Sequence, residues 1–239
     1  MTDTAQKIKT QYWAVVPAAG VGSRMASQIP KQYLKIGQKT VLEHTLNAIL
    51  DHPAINGVVV AVSKGDPYWQ EININSDKRV VQAEGGKERC HSVYNGLTAL
   101  ADVVGPDDWI LVHDAARPCL RYADIDKLIQ ELSFSPIGGL LAVPVRDTLK
   151  KTQGDNLVSQ TIDRTDLWHA QTPQMFRYGL LKSALLQALE SKVVVTDEAS
   201  AVEIYGHKPR LIEGHTDNIK VTLPEDLDLA EHYLLKNKS

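Results

Sequence analysis

Short runs of apolar residues alternate with stretches of helical periodicity over the first part of the chain. Strands that are apolar at every position are typical of a parallel sheet whose two faces are both covered by helices. The predicted strands are residues 13–17, 57–62, 80–82, 109–112 and 139–143, and the predicted helices between them are 41–50, 90–100 and 123–132. This alternation predicts an α/β fold with a Rossmann-like, doubly wound and mostly parallel sheet.

The middle of the chain departs from that alternation. Residues 145–152 and 157–162 are polar segments that flank Gly154-Asp155-Asn156, a run of turn-forming residues. They predict an antiparallel β-hairpin, and its polarity indicates that it protrudes from the core. We expect one domain over residues 1–239, with this arm inserted at about 145–172.

The last part of the chain returns to helical and short apolar segments. Helices are predicted at 180–190 and 197–205, and short strands at 210–212 and 219–221. Pro224 should begin the last helix, with Thr222 as its N-cap.

Composition limits the partners of the chain. Its 239 residues are 43% hydrophobic and 23% charged, which suits one folded domain, and the formal net charge of −3 gives no bulk attraction to nucleic acid or to an acidic membrane surface. Cys90 and Cys119 lack metal-site spacing and are expected to be reduced. With no export signal and no apolar run of about 20 residues, we expect a cytoplasmic protein that does not cross a membrane.

A small-residue loop follows the first predicted strand, and residues 17–25 read Pro-Ala-Ala-Gly-Val-Gly-Ser-Arg-Met. Such a loop lets backbone N–H groups approach a phosphate chain, and Arg24 and Lys31 add positive charge. A dinucleotide fingerprint would need glycine where Met25 stands, and the Walker P-loop pattern is absent. The two open interpretations are a phosphate site and an ordinary turn, and the added cations favour the phosphate site.

A second loop, His113-Asp114-Ala115-Ala116-Arg117-Pro118, follows the strand at 109–112. Asp114 then lies at the carboxyl end of a strand, where open α/β sheets bind ligands, and a carboxylate there suits Mg²⁺. The alternative is that Asp114 caps the turn and pairs with Arg117. His113 beside the strand end is expected to be structural rather than a general base.

Two further groups of residues could hold ligands. Gly85 and Gly86 could bring backbone groups close to a base, although they could equally form a turn. Around and after the arm, cations and hydroxyls could hold a second anion or simply form a solvated face: Arg146, Thr148, Arg164, Thr172 and Lys220.

Six segments together resemble the 2-C-methyl-D-erythritol 4-phosphate cytidylyltransferases of the non-mevalonate isoprenoid pathway. They read PAAGVGSRM, PKQYL, VHDAARP, DRTDLWHAQTPQ, TDEAS and DNIKVT, in that order along nearly the whole chain. The resemblance implies a Rossmann-like domain with a β-arm that interlocks two subunits, and therefore a homodimer. It also implies attack by the phosphate of methylerythritol phosphate on the α-phosphorus of CTP, with release of pyrophosphate and help from Mg²⁺.

The resemblance implies a role for each matching residue. The catalytic residues are Arg24 and Lys31, and the metal ligand is Asp114. The residues that position methylerythritol phosphate are Arg164, Lys220, Thr148, Asp114 and Arg117, with Thr148 and Arg164 reaching in from the partner. The residues that contact CTP are Ala18, Ala19, Gly20, Gly22, Gly86, Ser92 and Ala115. Ser23 and Lys87 depart from the family's usual residues, which bears on CTP affinity.

Three rival functions remain open at this point: a cytidylyltransferase for another polyol phosphate such as ribitol 5-phosphate, a nucleotide-binding regulator without turnover, and an NAD-dependent dehydrogenase. Arg24, Lys31 and Asp114 argue against the regulator, and Met25 argues against the dehydrogenase.

Overall fold

The structure, a computed structural model, describes residues 10–20 and 29–237. Its strands are β1 Tyr12–Pro17, β2 Lys35–Ile36, β3 Lys39–Thr40, β4 Gly57–Val62, β5 Val80–Glu84, β6 Trp109–Val112, β7 Gly138–Pro144, β8 Leu149–Thr152, β9 Val158–Ile162, β10 Trp168–Arg177 and β11 Arg210–Glu213. Its α-helices are α1 Val41–Leu50, α2 Pro67–Glu71, α3 Arg89–Ala99, α4 Tyr122–Leu132, α5 Tyr178–Glu190, α6 Glu198–Ile204 and α7 Glu225–Lys236.

The central sheet has seven strands in the order β11-β7-β10-β6-β1-β4-β5. Every neighbouring pair is parallel except the two pairs made by β10, which runs antiparallel to β6 and β7. The predicted α/β fold with a mostly parallel sheet is therefore confirmed. Because six strands share one direction, their carboxyl ends meet at one edge, and the amino end of β10 lies at that same edge.

Alternate residues of each central strand face opposite helical layers. In β1, Ala14 and Val16 pack with α1 and α4, whereas Val15 packs with α3, α5 and α6. Strand β4 divides its valines in the same way, and all six of its residues are buried. This period-two division explains why these strands are apolar throughout, and it makes the sheet doubly wound.

The sequence pattern did not predict β10. Its segment WHAQTPQMFR carries Pro173 and several polar residues, and a proline in a central strand normally argues against that assignment. In the structure the pairing of β10 with β7 is interrupted between Ala170 and Gln174, where Pro173 lies. The strand thus avoids needing a backbone N–H donor at the proline.

The predicted hairpin is present as β8 and β9, which pair with each other in a separate two-stranded sheet. Gly154 and Asn156 adopt positive φ in the connecting turn, as their residue types allow. Strand β8 begins at Leu149 rather than 145, because the N–H of buried Val145 donates to the Leu167 carbonyl instead. Leu157 and Val158 at the tip are 69% and 61% exposed.

Two C-terminal predictions were wrong. Residues 219–221 form no strand, because the Val221 N–H donates to the carbonyl of Ala116 in the loop after β6. Thr222 is not the N-cap of α7, which begins at Glu225 after Pro224. The carboxylate of Asp226 accepts the N–H groups of Thr222 and Leu223, so it holds the approach to the helix. In the part of the chain that the structure describes, each helix is too short or too polar to span a membrane.

Candidate functional site

A cleft opens where the loops after β1, β5 and β6 meet at the carboxyl edge of the sheet. Open α/β sheets bind ligands at this edge. The lining residues are Pro17, Ala18, Ala19, Gly20, Lys31, Gln32, Gly86, Lys87, Glu88, Arg89, Ser92, Asp114, Ala115, Ala116 and Lys220. Nine residues that the sequence assigned to a site therefore lie along one cleft: Lys31, Lys220, Asp114, Ala18, Ala19, Gly20, Gly86, Ser92 and Ala115.

The small-residue loop after β1 is shaped by a buried glutamine. The amide nitrogen of Gln32 donates to the carbonyls of Ala18, at 2.7 Å, and of Gly20, at 3.0 Å. The Ser63 hydroxyl donates to the Ala19 carbonyl at 3.1 Å. These hydrogen bonds occupy the carbonyl oxygens and fix the backbone of the loop at the place where a ligand would approach it closely. Gln32 lies within the PKQYL segment, which carries no local signal for this role.

The wall after β5 depends on two glycines. A Cβ atom on Gly85 would overlap the Cβ of Ala19, and one on Gly86 would overlap the Cβ of His91. The Gly86 N–H donates to the Ser92 hydroxyl at 3.0 Å, and that hydroxyl contacts the Glu88 carbonyl at 3.3 Å. Ser92 thus ties this wall to the first turn of α3, and its predicted contact with CTP stays a prediction.

Three cations surround Asp114 at the end of β6. Arg89 Nε lies 3.1 Å from Oδ1, while Lys220 Nζ and Arg117 Nε lie 2.9 and 3.5 Å from Oδ2. Burial by itself would raise the pKa of Asp114, but the charges of Arg89, Lys220 and Arg117 hold it below its usual range. Asp114 is therefore an anion that gathers cations from three separate segments.

Behind Asp114, a buried glutamate extends the charge network. Glu198, at the start of α6, accepts both terminal nitrogens of Arg89 at 2.6 and 3.0 Å, and its side chain is 1% exposed. This bidentate geometry fixes the guanidinium plane of Arg89. Burial raises the pKa of Glu198, and the charge of Arg89 opposes that shift. Glu198 belongs to the TDEAS segment, whose sequence alone does not predict this contact with Arg89.

His113 is held as a neutral imidazole. Its Nε2 lies 3.0 Å from the Arg117 carbonyl, so it carries the proton, and its Nδ1 lies 2.9 Å from the Thr172 hydroxyl. The same hydroxyl accepts the Asp114 N–H at 3.1 Å. Burial lowers the pKa of His113 to about 4. Both ring nitrogens are thus occupied, which supports a structural role.

Lys31 and Lys220 enter the cleft from opposite parts of the sequence. Lys31 Nζ donates to the Val221 carbonyl at 2.9 Å. The residues before Val221 are joined to the β6 loop as well, because Arg117 donates to the Asn218 carbonyl at 2.7 Å. Residues 219–221, which were predicted to form a strand, are therefore a loop segment that places Lys220 beside Asp114.

Five predicted residues are not among the described residues that line the cleft. Arg117 contacts Asp114 without lining the cleft itself. Arg24 and Gly22 lie outside the described residues. Thr148 and Arg164 are exposed on either side of the hairpin and do not belong to the described cleft lining.

The described residues do not form a magnesium site by themselves. Mg²⁺ prefers oxygen ligands, yet both oxygens of Asp114 face cations. Among the described lining residues the other carboxylate is Glu88, on the α3 side. A cation bound here would have to be held chiefly by the phosphates of a ligand. Asp114 as a metal ligand stays a prediction.

A doubly wound sheet with backbone amides, lysines and arginines gathered at its strand ends defines an α/β protein suited to a phosphorylated ligand. The sequence matches the 2-C-methyl-D-erythritol 4-phosphate cytidylyltransferase family over residues 12–236. The chain belongs to this family.

Individual relatives agree with that assignment. The chain is 56% identical over 218 residues to the 2-C-methyl-D-erythritol 4-phosphate cytidylyltransferase of Pseudomonas entomophila. The aligned residues make up 91% of this chain and 93% of that protein. It is 53% identical over 225 residues to that of Aliivibrio fischeri, covering 94% of each. The solved structure of the Francisella tularensis enzyme has a TM-score of 0.82 at 37% identity, covering 94% of this chain and all 100% of that one.

Proposed function

We propose that the chain transfers the cytidylyl group of CTP to 2-C-methyl-D-erythritol 4-phosphate. The products are 4-diphosphocytidyl-2-C-methyl-D-erythritol and pyrophosphate, in the synthesis of isoprenoid precursors. Family membership over residues 12–236 supports the reaction. The structural observation that best supports this reaction is a single cleft, in which backbone walls of small residues lie together with Lys31, Lys220 and Arg89.

Two phosphorylated substrates need two groups of cations, and we assign the cations in and beside the cleft to them. Lys31 comes from the segment after the small-residue loop, where the triphosphate would lie. Lys220 and Arg117 lie against Oδ2 of Asp114, where we assign the second phosphate. In this arrangement Asp114 and Glu198 partly neutralise the cations in the absence of substrate, so the cleft is not strongly self-repelling.

The chemistry needs positioning and charge neutralisation rather than a base. An oxygen of the methylerythritol phosphate forms a bond to the α-phosphorus of CTP, and the bond from that phosphorus to the bridging oxygen of pyrophosphate breaks. The attacking oxygen already carries negative charge at neutral pH, so no proton has to be removed. Lys31 stabilises the charge that develops on the α-phosphate, and Arg24 is assigned the same role.

The walls of the cleft favour a pyrimidine. Ala18, Ala19 and Gly20 face the Gly86 wall, and Gly85 packs directly against Ala19. We infer from this close approach that the second ring of a purine is disfavoured. Backbone groups of Ala18, Ala19, Gly20 and Gly86 are therefore proposed to select the small cytosine.

Turnover is proposed to need a divalent cation, Mg²⁺, because three phosphates and an attacking phosphate concentrate negative charge in one place. The lysines and arginines of the cleft would neutralise the remaining charge. A cytoplasmic location stays a prediction.

The hairpin is proposed to reach into a second copy of the chain. Leu157 and Val158 are largely exposed at its tip, and exposed aliphatic residues on a protruding arm are typical of an interface. Thr148 and Arg164 are exposed on its flanks, away from the described part of their own cleft. In a homodimer they would approach the methylerythritol phosphate bound by the partner.

The decisive measurement is pyrophosphate release with four nucleoside triphosphates and several polyol phosphates. We expect release with CTP and methylerythritol phosphate to exceed every other combination. Preference for ribitol 5-phosphate would keep cytidylyl transfer but replace the acceptor. No release with any pair, from a folded chain that binds CTP, would leave the nucleotide-binding regulator as the better interpretation.

A further inference from the structure

A cluster of three metal-ligating side chains lies at the start of α3, next to the Gly86 wall, and one of its members, Glu88, also lines the cleft. Glu88, Cys90 and His91 place a carboxylate oxygen, the sulfur and a ring nitrogen within 4.8 Å of one another. The Cys90 Sγ lies 3.6 Å from His91 Nδ1 and 3.9 Å from Glu88 Oε2. Neither cysteine of the chain is in a disulfide, so this sulfur can act as a ligand.

The sulfur–nitrogen separation matches that between two ligands of a tetrahedral zinc ion, and the other two separations lie within 4.8 Å. Bonds of about 2.3 Å to sulfur and about 2.0–2.2 Å to nitrogen or oxygen place ligand atoms roughly 3.3–3.7 Å apart. The sulfur–nitrogen separation already lies in that range. The sulfur–oxygen separation is slightly long, and the Glu88 side chain that supplies the oxygen is exposed.

Helix capping does not account for this arrangement. Glu88 occupies the N-cap position of α3, yet its side chain makes no capping hydrogen bond. Its carboxylate lies against the Cys90 sulfur instead. All three ligands fall within four consecutive residues, so one short segment supplies them.

We propose that Glu88, Cys90 and His91 form a site for a thiophilic divalent cation such as Zn²⁺. The Cys90 thiol loses its proton to solvent, and the cation takes one sulfur, one nitrogen and one oxygen ligand, with water in the fourth position. Mg²⁺ does not compete, because a thiolate and an imidazole are poor ligands for that hard cation. The site therefore selects a different class of cation from the one proposed to accompany CTP, although Glu88 also lines the cleft.

Cobalt is the probe that tests the site, since it occupies zinc sites and reports thiolate ligation through a charge-transfer absorption band. Titration of the full chain with Co²⁺, without nucleotide, should give that band at one ion per chain. Added Zn²⁺ should abolish the band, and excess Mg²⁺ should leave it unchanged. The measurement uses no substrate, so its failure is distinct from failure of the proposed reaction.

Variants identify the ligands. Cys90→Ser should remove the band, whereas Cys119→Ser, which alters the other buried cysteine, should retain it. Glu88→Gln changes an exposed side chain and His91→Gln removes a ring nitrogen, and each should weaken Co²⁺ binding by about 10-fold or more. Circular dichroism must show that each variant is folded. A band that persists in Cys90→Ser, or no band in the native chain, would overturn the proposal.

Discussion

At the scale of single residues, Asp114 determines how the cations of the cleft are arranged. It contacts Arg89, Arg117 and Lys220, which come from α3, the β6 loop and the segment before α7. Asp114→Asn preserves the shape of the side chain but removes its charge. We expect kcat/KM to fall by roughly 10²–10³, because the cations lose the anion that positions them.

The metal dependence of that variant separates two roles for Asp114. If it binds Mg²⁺, the concentration that gives half-maximal activity should rise strongly. If it only positions cations, that concentration should stay nearly constant while turnover falls. Asp77→Asn, which alters an ion pair with Arg79 outside the cleft lining, is the matched control. Full activity of Asp114→Asn would refute both roles.

His113 leads to a prediction about stability and pH. Burial lowers its pKa from 6.5 to about 4, so the folded chain binds fewer protons than the unfolded chain between those values. Its neutral form therefore stabilises the fold fully above pH 6.5, and this contribution is lost as pH falls towards 4. The loss should approach about 3 kcal/mol in the free energy of unfolding.

Urea unfolding at several pH values tests this. Other carboxylates titrate in the same range, so the informative quantity is the difference between native chain and variant. His113→Gln should be less stable at neutral pH and show a smaller loss on acidification. His232→Gln, at an exposed position, should keep the native pH dependence. Parallel curves for the native chain and His113→Gln would contradict the prediction.

At the scale of elements, Gly85 lets the loops after β1 and β5 touch. Gly85→Ala would place a Cβ atom into that of Ala19, and the loops would have to separate. We expect the KM for CTP to rise and the fold to lose about 1–3 kcal/mol. At Gly105 an added Cβ would meet its nearest atom at 3.7 Å, so Gly105→Ala is the control. Unchanged KM for Gly85→Ala would show that the two walls do not define the nucleotide site.

The sequence predicted elements well where one local signal decided the structure. Strands β4 and β6 and helix α1 have the predicted bounds, because burial on both faces or a clear helical period marked them. Strand β10 was missed because its local composition opposes a central strand, and only its position between β6 and β7 supplies the pairing. The strand predicted at residues 219–221 is absent for the opposite reason. Its two apolar residues suggested a strand, but a loop that packs on the core also needs apolar residues.

The candidate site shows a similar limit. Motifs in the loops after β1 and β6 indicated Ala18, Lys31 and Asp114, and these meet in the cleft. Gln32 and Glu198 were missed because they act through other residues, over 12 or more positions in sequence. A buried glutamate has no local signature, and its partner is known only once α3 and α6 are packed.

At the scale of the whole molecule, the position of the hairpin bears on how the enzyme is assembled. The described cleft of one chain contains Lys220 but neither Thr148 nor Arg164. Lys220 lies on the body of the protein, whereas Arg164 follows β9 of the hairpin. If the arm completes the partner's site, one active site needs residues from both chains of a homodimer.

Mixing two inactive variants tests this assembly. Lys220→Ala and Arg164→Ala chains, each shown to be inactive alone, should regain about a quarter of native activity after subunit exchange, because half of the dimers are mixed and each rebuilds one of its two sites. The control is the double variant mixed with native chains. If sites are shared, a dimer of one native and one doubly substituted chain has no intact site, because each site contains one substituted residue. Subunit exchange has to be measured independently, for example by mass spectrometry of labelled chains. Exchange without recovery would mean that Arg164 serves its own chain, and the shared-site arrangement would then fail while cytidylyl transfer would stand.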